Sequence, residues 1–202
     1  MIRMTGSRLR PFFYAAVTIA VALMLLSGCR TSNTPSALGD ETLEIQPRME
    51  EPSEEEIRSG YYVTIFLAGT IDMGNSENWQ SALVETFSSS EGRYILYNPR
   101  RDTFTSTPEE MEYQVNWELD HLEKSQIIIM NILGSSNSPV TLLEMGLFMK
   151  SGKLLVACEP DYYRHSNVLL TCTRYNVPLY SSLKALMQEQ FGLDYLGTSV
   201  KE

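Results

Sequence analysis

The fold is decided by the segment Gln126–Ile132, which reads Gln-Ile-Ile-Ile-Met-Asn-Ile. It is a nearly continuous run of β-branched and long apolar side chains, and it lacks the alternation of polar and apolar residues that marks a half-exposed strand. Runs of this kind are typical of strands covered on both faces, as in parallel sheets with helices on each side. The segment therefore predicts a central strand of an α/β domain.

Further apolar segments lie on both sides of this strand along the chain. We predict four more strands, at residues 61–68, 94–97, 153–158 and 177–180. Apolar residues at helical spacing between them predict helices at residues 76–88, 108–122, 139–150, 167–171 and 181–191. Strands that alternate with helices imply a doubly wound, flavodoxin- or Rossmann-like α/β fold, with a five-stranded parallel sheet and helices on both faces.

Length and composition limit the function classes. The 202 residues suffice for one ordinary domain, and 43% hydrophobic with 20% charged residues excludes a wholly disordered or many-pass membrane chain. A net charge of −9 provides no electrostatic basis for holding a phosphate backbone, so nucleic acid is not expected as a partner. The three cysteines and two histidines form no cluster with metal-ligand spacing, so no metal or other cofactor is expected.

The first 28 residues are typical of a secretory signal. Arg3, Arg8 and Arg10 precede an apolar run, Pro11–Leu26, that is short for a membrane span. The run ends in Leu26–Cys29, Leu-Ser-Gly-Cys, which resembles the processing box of bacterial lipoproteins. We expect residues 1–28 to be a signal peptide and Cys29 to be acylated and anchored in a bilayer. The alternative is an uncleaved anchor helix with an incidental cysteine.

The segment that follows Cys29 is polar and rich in proline. Residues 29–60 contain Pro35, Pro47, Pro52 and an acidic cluster, and they predict a flexible acidic tether. The tether would lead to a folded domain at residues 61–202 and hold it at the bacterial cell envelope. Arg30 is not the acidic residue that is associated with inner-membrane retention in enteric bacteria, so we expect the outer membrane.

Four loops follow the predicted strands, at residues 69–74, 98–102, 134–138 and 159–161. Because ligands of open parallel sheets bind outside the carboxyl ends of the strands, these loops should converge on one binding site. Two glycines, Gly69 and Gly74, flank Asp72 and allow the backbone to approach a ligand closely, although such a stretch is often just a turn. Arg100 and Arg101 either contact a phosphate or form salt bridges with Asp102 or Glu109.

Two carboxylates stand among apolar residues of predicted helices. Glu144 lies within Thr141–Phe148, an otherwise apolar stretch, and Glu118 lies between Trp117 and Leu119. A carboxylate in such surroundings is costly unless it is paired or used, whereas a position on the wet side of the helix is the structural alternative. If both carboxylates reach the same site, they form the pair that chemistry at the anomeric carbon of a sugar requires.

Four motifs in this chain resemble those of the nucleoside 2-deoxyribosyltransferase-like family, and they occur in the same order. The motifs are Gly69–Gly74 followed by Trp79 and Gln80, then Asn98–Arg101, then Gln114–Glu118, and finally Ser138–Gly146. The resemblance covers residues 63–186, which is nearly the whole predicted domain.

The resemblance implies roles for individual residues. Glu144 matches the family's nucleophile, which attacks C1′ of a deoxyribonucleoside while the base leaves, and a second base or water then completes the exchange. Glu118 stands where relatives carry an aspartate and would shuttle the proton. The predicted substrate-binding residues are Gly69, Asp72, Gly74, Asn98, Arg100, Ser138 and Asn167. Asn167 resembles the amide that a neighbouring subunit presents to the sugar, which implies a dimer or a larger homo-oligomer.

The resemblance leaves the donor open between a nucleoside and a nucleoside 5′-monophosphate. Ser138 stands where relatives that hydrolyse monophosphates carry a serine near the phosphate. Asp72, however, stands where those relatives use a cationic residue, and an anion repels a phosphate.

We therefore expect a membrane-tethered enzyme that transfers or hydrolyses at C1′ of a nucleoside or nucleotide. The alternative is a non-catalytic lipoprotein that binds a nucleoside, a nucleotide or a related sugar, because export removes the protein from the usual supply of cytosolic nucleosides. A third hypothesis is an envelope scaffold with a vestigial site. The isolated histidine His121 is expected at the surface or as a helix cap.

Overall fold

The computed structural model of the protein describes residues 41–101, 103–195 and 197. The predicted signal peptide, Cys29 and the first part of the predicted tether lie outside these residues. Within them, no helix combines the length and apolarity that a membrane span needs.

Among the described residues, six parallel strands form one sheet, in the order β1-β3-β2-β4-β5-β6. The strands are β1 (Leu43–Ile45), β2 (Val63–Gly69), β3 (Tyr94–Tyr97), β4 (Ile127–Ile132), β5 (Leu154–Cys158) and β6 (Leu179–Tyr180). The prediction of a parallel α/β sheet with flanking helices is confirmed, and the sheet has one strand more than the five predicted.

In the part of the chain that the structure describes, six α-helices and one 3-10 turn precede, connect or follow these strands. The helices are α1 (Glu54–Ser59), α2 (Trp79–Ser88), α3 (Pro108–Lys124), α4 (Pro139–Phe148), α5 (His165–Tyr175) and α6 (Leu183–Phe191), and the 3-10 turn spans Asp72–Gly74. Buried residues of α3, α4 and α5 pack on one face of the sheet, whereas those of α2 and α6 pack on the other. The sheet is thus covered on both sides.

The central strand β4 is buried at every position, as its apolar sequence predicts. Successive side chains of a strand point to opposite faces. Ile128 and Phe66, its partner in β2, belong to the core on the α3 side, while Ile129 belongs to the core on the α2 side. The continuous apolar run is therefore the direct consequence of two hydrophobic cores, one on each face.

The additional strand β1 lies inside the segment that the sequence predicts to be a flexible tether. Its residue Ile45 is only 5% exposed, and its carbonyl accepts a hydrogen bond of 2.9 Å from the amide of Asn98. Residues 43–59, which form β1 and α1, thus belong to the folded domain and not to a tether. Three residues are too few to produce a recognisable strand pattern in a polar segment, so pairing with β3 decides their structure.

A second contact fastens this segment to the domain. Glu51 lies 3.0 Å from Nε2 of His121 and also pairs with Lys124, both on α3. His121 is 3% exposed and stacks on Trp117 with 3.8 Å between ring centroids. The expectation of a surface or capping histidine is wrong, because the N-terminal segment covers the ring.

The strand order reverses direction at β2. From this strand the chain passes to β3 on one side and then crosses over to β4 on the other. At such a reversal the connections after adjacent strands diverge to opposite faces of the sheet and leave a crevice outside the carboxyl ends of the strands. The topology therefore predicts a ligand site beside the residues that follow β2.

Candidate functional site

A cavity of about 690 Å³ lies at this crevice. Its wall combines the end of β2 and the loop after it, the residues after β3, one face of α3 and the first two turns of α4. The polar and charged residues in the wall are Thr70, Asp72, Asn75, Arg100, Arg101, Gln114, Glu118, Ser138, Thr141 and Glu144. The volume is in the range of small-molecule sites, so the cavity is the candidate active site.

Glu144 reaches the cavity because of how α4 begins. Ser138 adopts a left-handed backbone conformation, with φ of 43°, and Pro139 then starts the helix. Thr141, Glu144 and Met145 form the buried side of this helix at helical spacing. Glu144 is 8% exposed, so its side chain lies on the buried side of the helix and not on the side that faces solvent.

The pKa of Glu144 is raised to about 8, first by burial and second by the negative charge of Glu118. A carboxylate that loses its water without gaining a cation favours its protonated form. Strongly raised pKa values in a cavity are a mark of functional carboxylates. Glu144 therefore combines the placement and the electrostatics of a reactive group.

Glu118 lines the same cavity from α3, so the structure brings the two predicted carboxylates together. Gln114, one turn earlier, donates hydrogen bonds to Glu118 at 2.8 Å and to the carbonyl of Pro99 at 2.9 Å. Burial raises the pKa of Glu118, and this hydrogen bond and the charge of Arg101 partly oppose the rise. The two carboxylates thus have different environments, as an acid and a nucleophile need.

Arg101, for which the sequence predicts contact with a phosphate or a salt bridge to Asp102 or Glu109, also lines the cavity. Its guanidinium is 3.0 Å from Glu110 on α3 and lies over the ring of Phe104. Since its charge acts on Glu118, it limits how far burial raises the pKa of that carboxylate. The adjacent pair Arg100 and Arg101 in the sequence was the available signal, but only the fold separates their tasks.

Arg100 holds the loop that follows β2. Its guanidinium donates hydrogen bonds to the carbonyls of Gly74 at 2.9 Å, Ser76 at 2.8 Å and Glu77 at 2.9 Å. Within this loop Asp72 has a left-handed backbone conformation, which is uncommon for a residue with a side chain. Arg100 also lines the cavity, but the guanidinium N–H groups that form these three hydrogen bonds are bound to the loop.

Gly69 is required by a close approach of two strands. A Cβ atom at this position would lie 2.2 Å from the carbonyl oxygen of Asn131 in β4, and the φ of 134° is unfavourable for other residues. Gly74 also has a positive φ, of 87°. Both glycines line the cavity, so the structure places them where the sequence predicts.

Four polar side chains lie in one hydrogen-bonded row beside Glu144. Thr70 and Ser138 are 2.6 Å apart between their hydroxyl oxygens, Ser138 and Ser136 2.9 Å, and Ser136 donates to Asp72 at 2.7 Å. Asp72 and Ser138 were predicted as binding residues, whereas Thr70 and Ser136 were not. The feature of the sequence that could have identified them is their position in the loops after β2 and β4.

Two predicted binding residues do not line this cavity. Asn98 is 1% exposed, and its amide group bonds to Glu44 of β1 at 2.6 Å and to the amide of Arg100 at 3.0 Å. Its prediction as a substrate-binding residue is corrected: β1 covers Asn98, and the side chain holds the turn after β3. Asn167 lies exposed on α5, and its predicted contact, which involves a neighbouring subunit, stays a prediction.

In the described part of the chain, no three His, Cys, Asp or Glu side chains are grouped so that they could hold a metal ion. The cavity wall offers three carboxylates (Asp72, Glu118 and Glu144), two guanidinium groups (Arg100 and Arg101) and the hydroxyl groups of Thr70, Ser138 and Thr141. Such a set can bind a polar molecule, exchange a proton with it and attack an electrophilic carbon.

Comparison with known protein families identifies a match. A family model described as nucleoside 2-deoxyribosyltransferase like matches residues 62–162, half of the chain, from the start of β2 to beyond β5. No curated protein matches the chain. The matched residues include every part of the cavity wall, with both carboxylates. The chain belongs to the nucleoside 2-deoxyribosyltransferase-like family.

Proposed function

We propose that the protein is an enzyme that cleaves the N-glycosidic bond of a nucleoside-like donor, with transfer or hydrolysis at C1′. The observation that carries the proposal is the presence of Glu118 and Glu144 in one cavity, in unlike environments. The family match supports the same chemistry, since its description concerns the transfer of a deoxyribosyl group from a nucleoside.

In the proposed first step, the Glu144 carboxylate attacks C1′ on the face opposite to the base. The bond from C1′ to the base nitrogen breaks, its electron pair goes to the base, and protonated Glu118 supplies the proton that the base needs. The product is a glycosyl ester on Glu144. In the second step water or another base attacks C1′, Glu118 takes the proton released, and Glu144 leaves as a carboxylate.

The raised pKa of Glu144 affects this mechanism directly. With a pKa of about 8, Glu144 is mostly protonated in the free protein at neutral pH. The reactive form of the pair carries this proton on Glu118 and the negative charge on Glu144, and the positive charge that develops on the sugar ring stabilises that form in the transition state. A desolvated nucleophile therefore contributes most when the sugar is bound and reacting.

The cavity offers separate surroundings for the two parts of such a donor. Phe104, Met111 and Val115 provide apolar wall on the side of Glu118, where a flat base would lie against them. The hydroxyl row of Thr70, Ser138, Ser136 and Asp72 lies on the other side, beside the start of α4, where a sugar would be bound.

The test is release of free base from a panel of deoxyribonucleosides, ribonucleosides and their 5′-monophosphates. Glu144→Gln keeps the shape of the side chain but cannot attack, so we expect at least a ~1,000-fold loss of base release. Glu118→Gln should lose ~100-fold or more, because it no longer supplies a proton. Glu112→Gln, an exposed carboxylate on the same helix, is the matched control and should retain full activity. Undiminished turnover by Glu144→Gln would refute the mechanism.

A second function, non-catalytic capture of a nucleoside, nucleotide or related sugar, is favoured by one observation. Glu144 carries its proton at neutral pH and can then donate a hydrogen bond to a bound sugar instead of attacking it. Calorimetric binding of an intact ligand, with no base released by the wild-type protein over hours at pH 6 to 8, would establish this function in place of catalysis.

We also propose that residues 1–28 are a signal peptide and that Cys29 carries lipid that anchors the domain at the outer membrane. The support is the charge pattern, the apolar run and the processing box in the sequence. In a bacterial host, Cys29→Ser should abolish labelling by a palmitate analogue and move the protein out of the membrane fraction. Persistence of labelled protein in that variant would contradict the proposal.

We propose a homo-oligomer, supported by an apolar surface on α4. Val140, Leu143 and Leu147 recur at helical spacing and are 58%, 65% and 59% exposed. An apolar row of this kind on a helix that also carries Glu144 is typical of an interface close to the active site. Leu143→Glu should convert the oligomer to a monomer in light scattering, whereas Glu112→Gln should not. A monomeric wild-type protein at micromolar concentration would contradict the proposal.

A further inference from the structure

In the hydroxyl row, the direction of each hydrogen bond can be derived from the partners of each hydroxyl group. Ser136 donates its only hydroxyl hydrogen to the carboxylate of Asp72, at 2.7 Å. The hydroxyl oxygens of Ser136 and Ser138 are 2.9 Å apart. Because Ser136 has no second hydrogen to donate, its oxygen accepts the hydroxyl hydrogen of Ser138. The amide of Ser138 donates to the same Ser136 oxygen at 3.0 Å.

The far end of the row is determined in the same way. The amide of Leu133 donates to the hydroxyl oxygen of Thr70 at 3.1 Å, which leaves the hydrogen of Thr70 available. Since the hydrogen of Ser138 is already used, Thr70 donates across the 2.6 Å contact to Ser138. All three hydroxyl hydrogens thus point along the row towards Asp72.

This direction limits what the row can offer to a ligand. Thr70 and Ser138 line the cavity, and each retains one lone pair but no free hydrogen. The row can accept a hydrogen bond from a ligand hydroxyl, but it has none to donate. Near neutral pH the oxygens of a phosphate group act almost entirely as hydrogen-bond acceptors. A bound phosphate therefore needs hydrogen-bond donors, and the row has none to offer.

Two amides of the loop after β2 are also in use. The amides of Gly74 and Asn75 donate to the carbonyls of Ile71 and Asp72, at 2.9 and 3.0 Å. Arg100 donates to three carbonyls of the same loop, and the negative charge of Asp72 offsets its positive charge. In this part of the cavity the hydrogen-bond pattern therefore opposes a bound anion.

We infer that the hydroxyl row selects a nucleoside with a free sugar hydroxyl over the corresponding nucleoside 5′-monophosphate. This inference rests on the proposed function, because it specifies the donor of the same site. Thr70, Ser138 and Asp72 would contact the sugar, and Ser136, which is not in the cavity wall, would be a positioning residue that fixes the direction of the row.

The closing experiment is calorimetric titration of the Glu144→Gln protein with deoxyribonucleosides and with their 5′-monophosphates, so that binding is measured without turnover. We expect a nucleoside to bind at least 10-fold more tightly than its monophosphate. Equal or tighter binding of the monophosphate would overturn the inference and leave the proposed function standing, since the amides at the start of α4 would then supply the donors. Binding of neither ligand, together with no base release by the wild-type protein, would overturn both.

Two variants test the row itself. Ser136→Ala removes the acceptor of Ser138, whose hydrogen becomes available to a ligand, and Asp72→Asn replaces the anion with a group that can donate. Each should lower the ratio of nucleoside to monophosphate affinity at least 5-fold in protein that still unfolds in one cooperative thermal transition. Ser81→Ala and Asp120→Asn, exposed positions on α2 and α3, are matched controls that should leave the ratio unchanged. An unchanged ratio in both test variants would overturn the role of the row.

Discussion

Glu118 on α3 and Glu144 on α4 line one cavity, and the negative charge of Glu118 adds to burial in raising the pKa of Glu144 to about 8. Two carboxylates coupled in this way do not both ionise readily near neutral pH, so they share a proton. The proposed mechanism uses that proton for the leaving base.

The rate of base release should depend on pH through Glu144. Because the first step needs ionised Glu144 and one proton on Glu118, kcat/KM should fall about tenfold per pH unit above 8, where the pair of carboxylates loses its shared proton. Glu118→Gln removes both the proton donor and the neighbouring negative charge, so the activity that remains should rise with pH as Glu144 ionises and should not fall above pH 8. Measurement from pH 5.5 to 10 checks both statements, and a wild-type rate that stays level above pH 8 would contradict them.

The same carboxylate should reduce stability at high pH. The pKa of Glu144 is about 8 in the folded protein and near 4.5 when exposed, so folding binds a proton between these values and stability falls as pH rises through them. Glu144→Gln has no such penalty. It should be more stable than the wild type by ~4 kcal/mol at pH 8 and by little at pH 4.5. Urea unfolding at both pH values measures this, and equal differences would contradict it.

The loop after β2 should depend on the guanidinium of Arg100. A lysine cannot reach the carbonyls of Gly74, Ser76 and Glu77 together, so Arg100→Lys should loosen residues 72–77. We expect faster hydrogen exchange there and about 10-fold weaker nucleoside binding. Arg174→Lys, an exposed position on α5, is the control. Unchanged exchange in the loop of the Arg100 variant would show that other contacts hold it.

Docking of the N-terminal segment should depend on Glu51. Burial opposes its ionisation, but the hydrogen bond from Lys124 and the charge of His121 outweigh that effect and lower the pKa of Glu51. Glu51→Gln should cost ~1 kcal/mol of unfolding free energy at pH 7 and speed hydrogen exchange in β1. Glu50→Gln, the exposed neighbour, should cost nothing measurable.

The pH dependence provides a second check on this contact. Because the pKa of Glu51 is lowered in the folded state, its contribution is present above its ordinary pKa of 4.5 and is lost as pH falls through the lowered value. The difference between the wild type and Glu51→Gln should therefore shrink in acid. A difference that persists unchanged at pH 3 would mean that the substitution disturbs packing and not the ionic contact.

Long apolar segments made most of the fold predictable. Strands such as Ile127–Ile132 and Leu154–Cys158 are buried on both faces, so their composition alone marks them. The strand Leu43–Ile45 escaped prediction because only one of its three residues, Ile45, is buried, and hydrogen bonds to β3 supply the remaining stabilisation. Such pairing leaves almost no trace in a short polar segment.

The candidate site was predictable to the extent that its residues are anomalous in their surroundings. Glu144 stands out because an apolar helix seldom carries a carboxylate without use. Asn98 was misplaced because the direction of its side chain depends on Glu44, a residue of the unpredicted strand. Ser136 was missed because a serine in a polar loop has no local mark of its hydrogen-bond partners.

The composition and hydrophobic periodicity of each segment determined the α/β class, the order of the longer strands and helices, and the two carboxylates worth examining. They could do so because a segment that is buried on one or both faces needs apolar residues at the corresponding positions. Tertiary structure decided which groups share an environment. The pKa of Glu144, the direction of the hydroxyl row and the place of the segment before β2 all arise between residues distant in sequence. Desolvation, charge coupling and hydrogen-bond direction are properties of neighbours in space, and only folding selects those neighbours.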